Sequence, residues 1–171
     1  MIDHSIPSDR RVCVFIDNAS LLGAIKGLQI RYDFKRLNNW LLAQREGNQS
    51  RVYCGGGDSR SGFHNVLRHA GFEVVTVNSV RRPLEIAYDM CSMCLDCETL
   101  ILVSGRPELA KIIPLLTKQG TKVELVFFEE FCSKDLLNTA TTFRALRVDG
   151  LELPPRQGTE WQKRKPQKVF A

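Results

Sequence analysis

The sequence lacks the segments that would place it in a membrane or direct it to secretion. No apolar run reaches the roughly 18 to 20 residues that a membrane-spanning helix needs. The first eleven residues are polar and lack the apolar stretch of a secretory signal. The 171 residues are 43% hydrophobic and 25% charged, which is close to the average of folded domains. We therefore expect one folded domain in the cytoplasm, where cysteines are free thiols or metal ligands rather than disulfides.

The common nucleotide-binding and nucleophilic signatures are also missing. Gly55, Gly56 and Gly57 follow an apolar segment, but the next glycine is Gly62, so the dinucleotide fingerprint fails. Gly57 and Gly62 have the P-loop spacing, yet a Phe-His pair stands where Lys and Ser or Thr are required. None of the three histidines has a recognisable nucleophile partner. These absences exclude the best-known dinucleotide, P-loop and Ser–His sites.

Positive charge is concentrated at the C-terminus. The chain has a formal net charge of +5, and from Pro154 onward five basic residues face one acidic residue. Few apolar residues and several prolines predict that residues 151–171 form a flexible basic tail. Such a tail attracts nucleic acid, which makes Lys163, Arg164 and Lys165 candidate RNA contacts. The same composition equally suits a solvated segment that only aids solubility.

The hydrophobic pattern alternates between strands and helices. Buried-strand patterns occupy residues 12–16, 51–54, 72–77, 99–103, 122–128 and 143–148; helical patterns begin at 33, 63, 83, 107 and 136. Leu84, Ala87, Tyr88 and Cys91 lie on one side of the predicted 83–97 helix. Strands that are apolar on both faces predict a three-layer α/β fold, with a mostly parallel sheet covered by helices on both sides. The predicted organisation is a leader over 1–11, a domain over 12–150 and the tail.

Chemistry is expected where the strands end, because ligands of open parallel sheets bind beyond the carboxyl ends. Asp17 ends the first predicted strand, and residues 104–108 follow the fourth. In an open α/β sheet these two strand ends could be neighbours. Asp17 suits a functional role or a helix N-cap equally well. Arg81 and Arg82 follow the third strand as either a phosphate contact or a solvated pair.

Several segments together carry a resemblance to a known family. They are Val14–Leu21, with an Asp after an apolar strand, Tyr32–Leu37, Tyr88–Met90, Leu102–Leu109, which is similar to a motif SGDxDF, and Pro114–Val123. In this order and spacing the chain resembles the NYN domain family, in the LabA-like branch of the PIN-like nucleases. The resemblance extends over about residues 12–148 and implies a PIN-like, Rossmann-like fold.

The resemblance implies metal-dependent RNA cleavage. Asp17, Asp89 and Glu108 fall on the family's acidic positions and would be the catalytic and metal-binding residues. They would hold Mg²⁺ or Mn²⁺, which activates water and neutralises the phosphate. The expected substrate is single-stranded RNA, with Asn18 and Ser104 as further phosphate contacts.

The sequence departs from the family at other acidic positions. Pro83, Arg106 and Thr141 replace family acids, and Ser20 replaces the family Asn. A guanidinium about 4 Å from a divalent cation would repel it by several kcal/mol even at a surface-like dielectric. Arg106 is instead suited to bind a phosphate in bidentate geometry.

Two functions therefore remain open. One is a metal-dependent ribonuclease with a partly degraded acidic site. The other is a catalytically silent module that binds RNA or a protein partner through basic residues, with assembly into a homo-oligomer also possible.

The tandem CxxC steps of Cys91, Cys94 and Cys97 form the most unusual local pattern. Such steps can ligate zinc or an iron–sulfur cluster, but a fourth ligand at matching spacing is missing. Half-buried thiols are the other interpretation, and the one that the sequence favours.

Overall fold

The computed structural model describes residues 11–43, 45–57 and 62–147. None of the helices in these ranges is both long and apolar enough to cross a membrane. The predicted leader up to Arg10 and the predicted tail with Lys163, Arg164 and Lys165 lie outside the described residues. The predicted boundaries of the domain therefore stay predictions.

Six strands form one fully parallel sheet in the order β3-β2-β1-β4-β5-β6. The strands are β1 Arg11–Asp17, β2 Glu46–Gly55, β3 Glu73–Val77, β4 Thr99–Val103, β5 Lys122–Phe127 and β6 Thr142–Ala145. The α-helices are α1 Asn18–Leu28, α2 Phe34–Leu42, α3 Phe63–His69, α4 Arg82–Met93, α5 Ile113–Lys118 and α6 Lys134–Thr139. The predicted α/β architecture with a parallel sheet is confirmed.

Both faces of the sheet are covered because its central strands are apolar on both sides. β4 is buried along its whole length, and β1 is buried from Val12 onward. Alternate β1 residues enter opposite layers: Val14 and Ile16 pack in one hydrophobic core, and Phe15 packs in the other. This alternation is the two-residue period of a strand between two helical layers.

Local signals set the helix boundaries, with one difference from the prediction. Asp33 caps α2, since its Oδ1 accepts hydrogen bonds from the backbone N–H groups of Lys35 and Arg36. The predicted helix that begins at Pro107 is divided into a 3-10 helix, Pro107–Lys111, and α5. Pro114 explains the division because it has no N–H for an α-helical bond and suits the first turn of a new helix.

The orientation of α4 also differs from the sequence pattern. Its buried residues are Arg82, Ile86, Met90 and Met93. Leu84, Tyr88 and Cys91, which the sequence grouped as the apolar side, are exposed. Both sides of this helix are apolar, so the periodicity could not determine which side packs on the sheet.

The expectation that all cysteines are free is wrong for one pair. Cys13 and Cys97 form a disulfide, with their Cα atoms 6.1 Å apart. The bond forms because β1 and β4 are parallel neighbours, which brings the segment entering β4 next to Cys13. Cys91 and Cys94 are free thiols, the first exposed and the second buried. In the described residues the CxxC steps therefore do not converge on a metal.

Candidate functional site

The site lies where the strand order reverses, between β1 and β4. The chain adds β2 and β3 on one side of β1 and then β4, β5 and β6 on the other. Ligands of open α/β sheets bind where the strand order reverses in this way. Ile16 of β1 pairs with Val103 of β4 in register. The residues that follow them, Asp17 and Ser104, therefore lie side by side. The prediction that these strand ends are neighbours is confirmed.

Asp17 is fully buried at this point. It is the N-cap of α1, and its Oδ1 accepts a 3.4 Å hydrogen bond from the Ser20 backbone N–H. The cap role foreseen as one alternative is therefore present. It leaves the second carboxylate oxygen, Oδ2, available for another group.

Two arginines converge on the Asp17 carboxylate. Arg106 Nε lies 2.8 Å from Oδ2, and Arg82 Nη1 lies 3.5 Å from Oδ1. The Arg82 side chain is only 4% exposed, whereas that of Arg106 is 35% exposed. This cluster of three residues therefore has two guanidinium charges against one carboxylate charge, and its own excess is positive.

Arg82 is held by few and long contacts. Besides the Asp17 contact, its Nη2 lies 3.5 Å from the Ser79 hydroxyl oxygen, and its Nε has no hydrogen-bond partner within the described residues. A buried guanidinium loses its hydration and stays charged, so it requires anionic or carbonyl partners. This arginine has unused donor capacity beside the strand ends.

The turn after β4 fixes the position of Arg106. The Arg106 backbone N–H donates to the Ser104 hydroxyl at 3.2 Å, and the Gly105 N–H donates to the Ser20 hydroxyl at 3.0 Å. A side chain on Gly105 would collide with the Phe131 backbone oxygen, so only glycine fits. Ser104 is fully buried and holds the turn, although the sequence predicted it as a phosphate contact.

Asp89 lies in a separate network that the sequence analysis missed. It accepts hydrogen bonds from the Tyr53 hydroxyl at 2.6 Å and from Arg51 Nη1 at 3.0 Å. Arg51 also pairs with Glu73 at 2.9 Å, which links β2, β3 and α4. Burial and the bond to Asp89 raise the pKa of Tyr53 well above its usual range. The available signal was the two-residue spacing of Arg51 and Tyr53, which puts both on one face of β2.

The remaining predicted residues are dispersed. Glu108 is exposed on the 3-10 helix after the β4 turn, and Arg81 is exposed just before α4. Asn18 is fully buried as the first residue of α1. The structure thus brings Asp17, Arg82 and Arg106 into direct contact. Asp89 is bonded to other partners.

The arrangement of the described residues does not fit a divalent cation. In the ranges that the structure describes, no group of three or more His, Cys, Asp or Glu residues could hold a metal. Arg106 lies against Oδ2 of Asp17 and Arg51 against Oδ2 of Asp89, so an arginine competes with a cation at one oxygen of each carboxylate. Binding of Mg²⁺ or Mn²⁺ stays a prediction of the family resemblance.

Comparison with known proteins agrees with the architecture. The NYN domain family matches residues 11–147, most of the chain. A protein of unknown function from Vibrio parahaemolyticus has a similar crystal structure, with a TM-score of 0.74 and 20% sequence identity. That match covers 86% of this chain and 98% of the other, and at this identity it establishes the fold alone. No curated protein matches the sequence significantly. With the family match spanning both the sheet and the strand-end site, this chain belongs to the NYN domain family.

Proposed function

We propose that this protein is an RNA-directed NYN domain that binds the phosphate backbone of single-stranded RNA at the β1–β4 strand ends without cleaving it. The observation that carries the proposal is the pairing of one buried carboxylate, Asp17, with two guanidinium groups. One positive charge remains in excess, which favours an anionic ligand and opposes a metal cation.

The geometry of Arg106 supports binding of a ligand from solvent. Its side chain is 35% exposed while its Nε contacts Asp17, so part of the side chain is accessible from solvent. Guanidinium donors match phosphate oxygens in bidentate geometry. Arg82, beneath it, adds charge that water screens little because the side chain is buried.

Helix termini add to the positive potential. α1 begins directly after Asp17, and α4 begins at Arg82, so the N-terminal ends of both helices lie beside the site. Exposed N–H groups and the helix dipole favour anions there. The sequence-predicted contacts Arg81, Lys163, Arg164 and Lys165 would extend this cationic surface.

Metal-dependent ribonuclease activity is the second candidate, and one observation favours it. The partly exposed Arg106 side chain can rotate into solvent, which would free Asp17 Oδ2. Asp17 and Glu108 would then be available to Mg²⁺ or Mn²⁺, and Asp89, the third acid of the family pattern, would also have to separate from Arg51 and Tyr53.

Binding and cleavage of a labelled single-stranded RNA separate the two functions. We expect Arg106→Gln to weaken RNA binding about tenfold, which corresponds to the loss of one charge-assisted hydrogen bond. Arg36→Gln is the matched control, because it removes the same charge from a side chain on α2 that is 63% exposed and lies outside the strand-end cluster. We expect the control to bind RNA within about twofold of the wild type and with the same dependence on salt.

The same RNA is incubated with Mn²⁺ or Mg²⁺, the wild type and Asp17→Asn. We expect no cleavage above the protein-free background in either sample. Metal-dependent cleavage that Asp17→Asn abolishes would establish the ribonuclease and overturn the proposal. Equal RNA affinity of Arg106→Gln and wild type would overturn the proposed phosphate contact.

A further inference from the structure

Four cysteines lie around the end of α4 and the beginnings of β1 and β4. Cys13 and Cys97 form the disulfide, and Cys94 packs in the same hydrophobic core as both. Cys91 lies in the last turn of α4, three residues before Cys94, and both are free thiols. Two free thiols beside a disulfide are the components of thiol–disulfide exchange.

The four cysteines differ in their access to solvent. Cys13 is fully buried, and Cys94 and Cys97 are each only 5% exposed. Cys91, in contrast, is exposed. A reductant in solution therefore reaches Cys91 in the folded protein, whereas it reaches the disulfide directly only after the structure has opened locally or globally.

The contacts of Cys94 place its thiol beside Cys91. Its Sγ lies 3.0 Å from the Cys91 backbone oxygen and 3.3 Å from Gln119 Oε1. Burial and the neighbouring Cys94 raise the pKa of the Cys91 thiol, so the two thiols are close enough to interact. Cys94 is the C-cap of α4, and residues three apart on a helix have Cα atoms about 5 Å apart, within the range that a disulfide spans. The backbone therefore allows a disulfide between Cys91 and Cys94.

Cys97 follows Cys94 in a short turn. The Asp96 N–H donates to the Met93 carbonyl oxygen at 3.0 Å, which closes the turn directly after α4. Cys97 comes next, and it is bonded to Cys13 while it shares a core with Cys94. It is thus the residue through which the disulfide can be passed to the α4 thiols.

We propose that Cys91 and Cys94 form a thiol–disulfide exchange site that transfers the buried Cys13–Cys97 bond to the protein surface, where a low-molecular-weight thiol reduces it. First, the Cys94 thiolate attacks Cys97 Sγ, so that the Cys94–Cys97 bond forms and Cys13 leaves as a thiolate. Second, the Cys91 thiolate attacks Cys94 Sγ, so that the Cys91–Cys94 bond forms and Cys97 leaves as a thiolate. Each attacking thiol loses a proton to water and each leaving thiolate takes one up. One disulfide replaces another, so neither step consumes an oxidant or a reductant.

Reduction then takes place at the exposed position. An external thiolate attacks Cys91 Sγ and forms a mixed disulfide, while Cys94 leaves as a thiolate. A second external thiolate attacks the external sulfur of this mixed disulfide and releases Cys91. Two external thiols thereby become one disulfide, and the protein gains two electrons and two protons. The cross-link between β1 and the segment entering β4 thus responds to external thiols without unfolding of the domain.

The rate of reduction under native conditions tests the proposal. The full chain, oxidised and then freed of oxidant, is mixed with reduced glutathione, and samples are quenched with acid before their thiols are counted. We expect Cys91→Ser and Cys94→Ser each to slow the reduction at least about tenfold, because the disulfide then becomes accessible only by opening of the structure. Equal rates in the wild type and both variants would overturn the proposal, and so would six thiols in the oxidised wild type.

Cys132→Ser is the matched control. It also removes one thiol, but Cys132 follows the carboxyl end of β5, whereas Cys97 precedes the amino end of the parallel strand β4. We expect the control to be reduced within about twofold of the wild-type rate, and slowing as large as in Cys91→Ser would contradict the exchange site. A variant that only destabilised the fold would open more often and be reduced faster, which is opposite to the slowing expected for Cys91→Ser and Cys94→Ser.

The intermediate identifies the route. Partly reduced wild type is alkylated and mapped by mass spectrometry, and we expect a species in which Cys13 and Cys97 are alkylated while Cys91 and Cys94 remain bonded to each other. Absence of this species would overturn the transfer to the surface. The exchange site changes the rate of reduction and not its end point, so Cys91→Ser is expected to leave the stabilities of the fully oxidised and fully reduced protein unchanged. Neither measurement involves RNA, so the outcome does not depend on the proposed function.

Discussion

At the scale of single residues, Asp17 has a structural and an electrostatic role. It caps α1 and compensates the charge of buried Arg82, while Arg106 reaches the same carboxylate from the surface. Removing one partner of a buried pair leaves an uncompensated charge, whereas a partly exposed partner is readily solvated. The three members of the cluster therefore differ in their importance for stability.

We expect Asp17→Asn to lower the free energy of unfolding by about 3 kcal/mol, because Arg82 would be buried without a counter-ion. Arg106→Gln should lower it by about 1 kcal/mol or less, since its side chain is 35% exposed. Urea denaturation of both variants measures the difference. Equal losses would mean that Arg82 finds another counter-charge, or that Arg106 is as important to the fold as Asp17. Because Asp17→Asn is destabilising, its RNA assays require a parallel check of folding.

At the scale of elements, glycine is replaceable in helix α1 but required in the turn after β4. Gly23 lies on the exposed side of α1 with open space where a Cβ would stand. Gly105 is packed against Phe131 and the Phe127 ring in the turn that presents Arg106. The effect of replacing Gly23 on stability is therefore determined mainly by backbone entropy, and the effect of replacing Gly105 mainly by the lack of space for a side chain.

We expect Gly23→Ala to raise the free energy of unfolding by about 0.5 to 1 kcal/mol, because alanine is the better helix former. Gly105→Ala is expected to lower it by about 1 to 3 kcal/mol, because the turn must move to admit a methyl group. Thermal unfolding of the two variants beside the wild type gives both signs. A neutral Gly105→Ala would show that the β4 turn can adjust without strain.

The bounds of the strands and helices, and the side on which each helix packs, could be predicted only in part. The strands were predicted well because each is an apolar run between polar or glycine-rich segments, with β2 longer than expected. The start of α2 at Asp33 was also visible in the sequence. The outward side of α4 was not, because Leu84 and Tyr88 are as apolar as the Ile86 and Met90 that face the sheet. Hydrophobicity alone does not determine which side of a helix packs in the core.

At the scale of the whole molecule, the parallel order of the strands brings distant segments together. Cys13 on β1 and Cys97 just before β4 are 84 residues apart and are joined by a disulfide. A bond across a loop of this length restricts the unfolded chain strongly.

We expect four thiols to react in the denatured, unreduced protein, corresponding to the cysteines outside the disulfide, Cys54, Cys91, Cys94 and Cys132, and six after reduction. Reduction should lower the free energy of unfolding by about 4 kcal/mol, the loop-closure contribution of a cross-link over this span. Cys91→Ser is the control, since it should remove one reactive thiol and leave the effect of reduction unchanged. Six reactive thiols without reductant would contradict the disulfide.

The sequence by itself determined the alternation of strands and helices, the parallel α/β fold and the family, because these depend on local hydrophobic runs and short motifs. It also located Asp17 and the turn before Arg106, since both directly follow apolar strands. Only the tertiary structure decided that Arg106 and Arg82 meet at Asp17, and that Asp89 bonds to Arg51 and Tyr53. These contacts join segments far apart in the chain. Their formation depends on which strands are neighbours and which side of α4 faces the sheet, and neither is encoded in a local pattern.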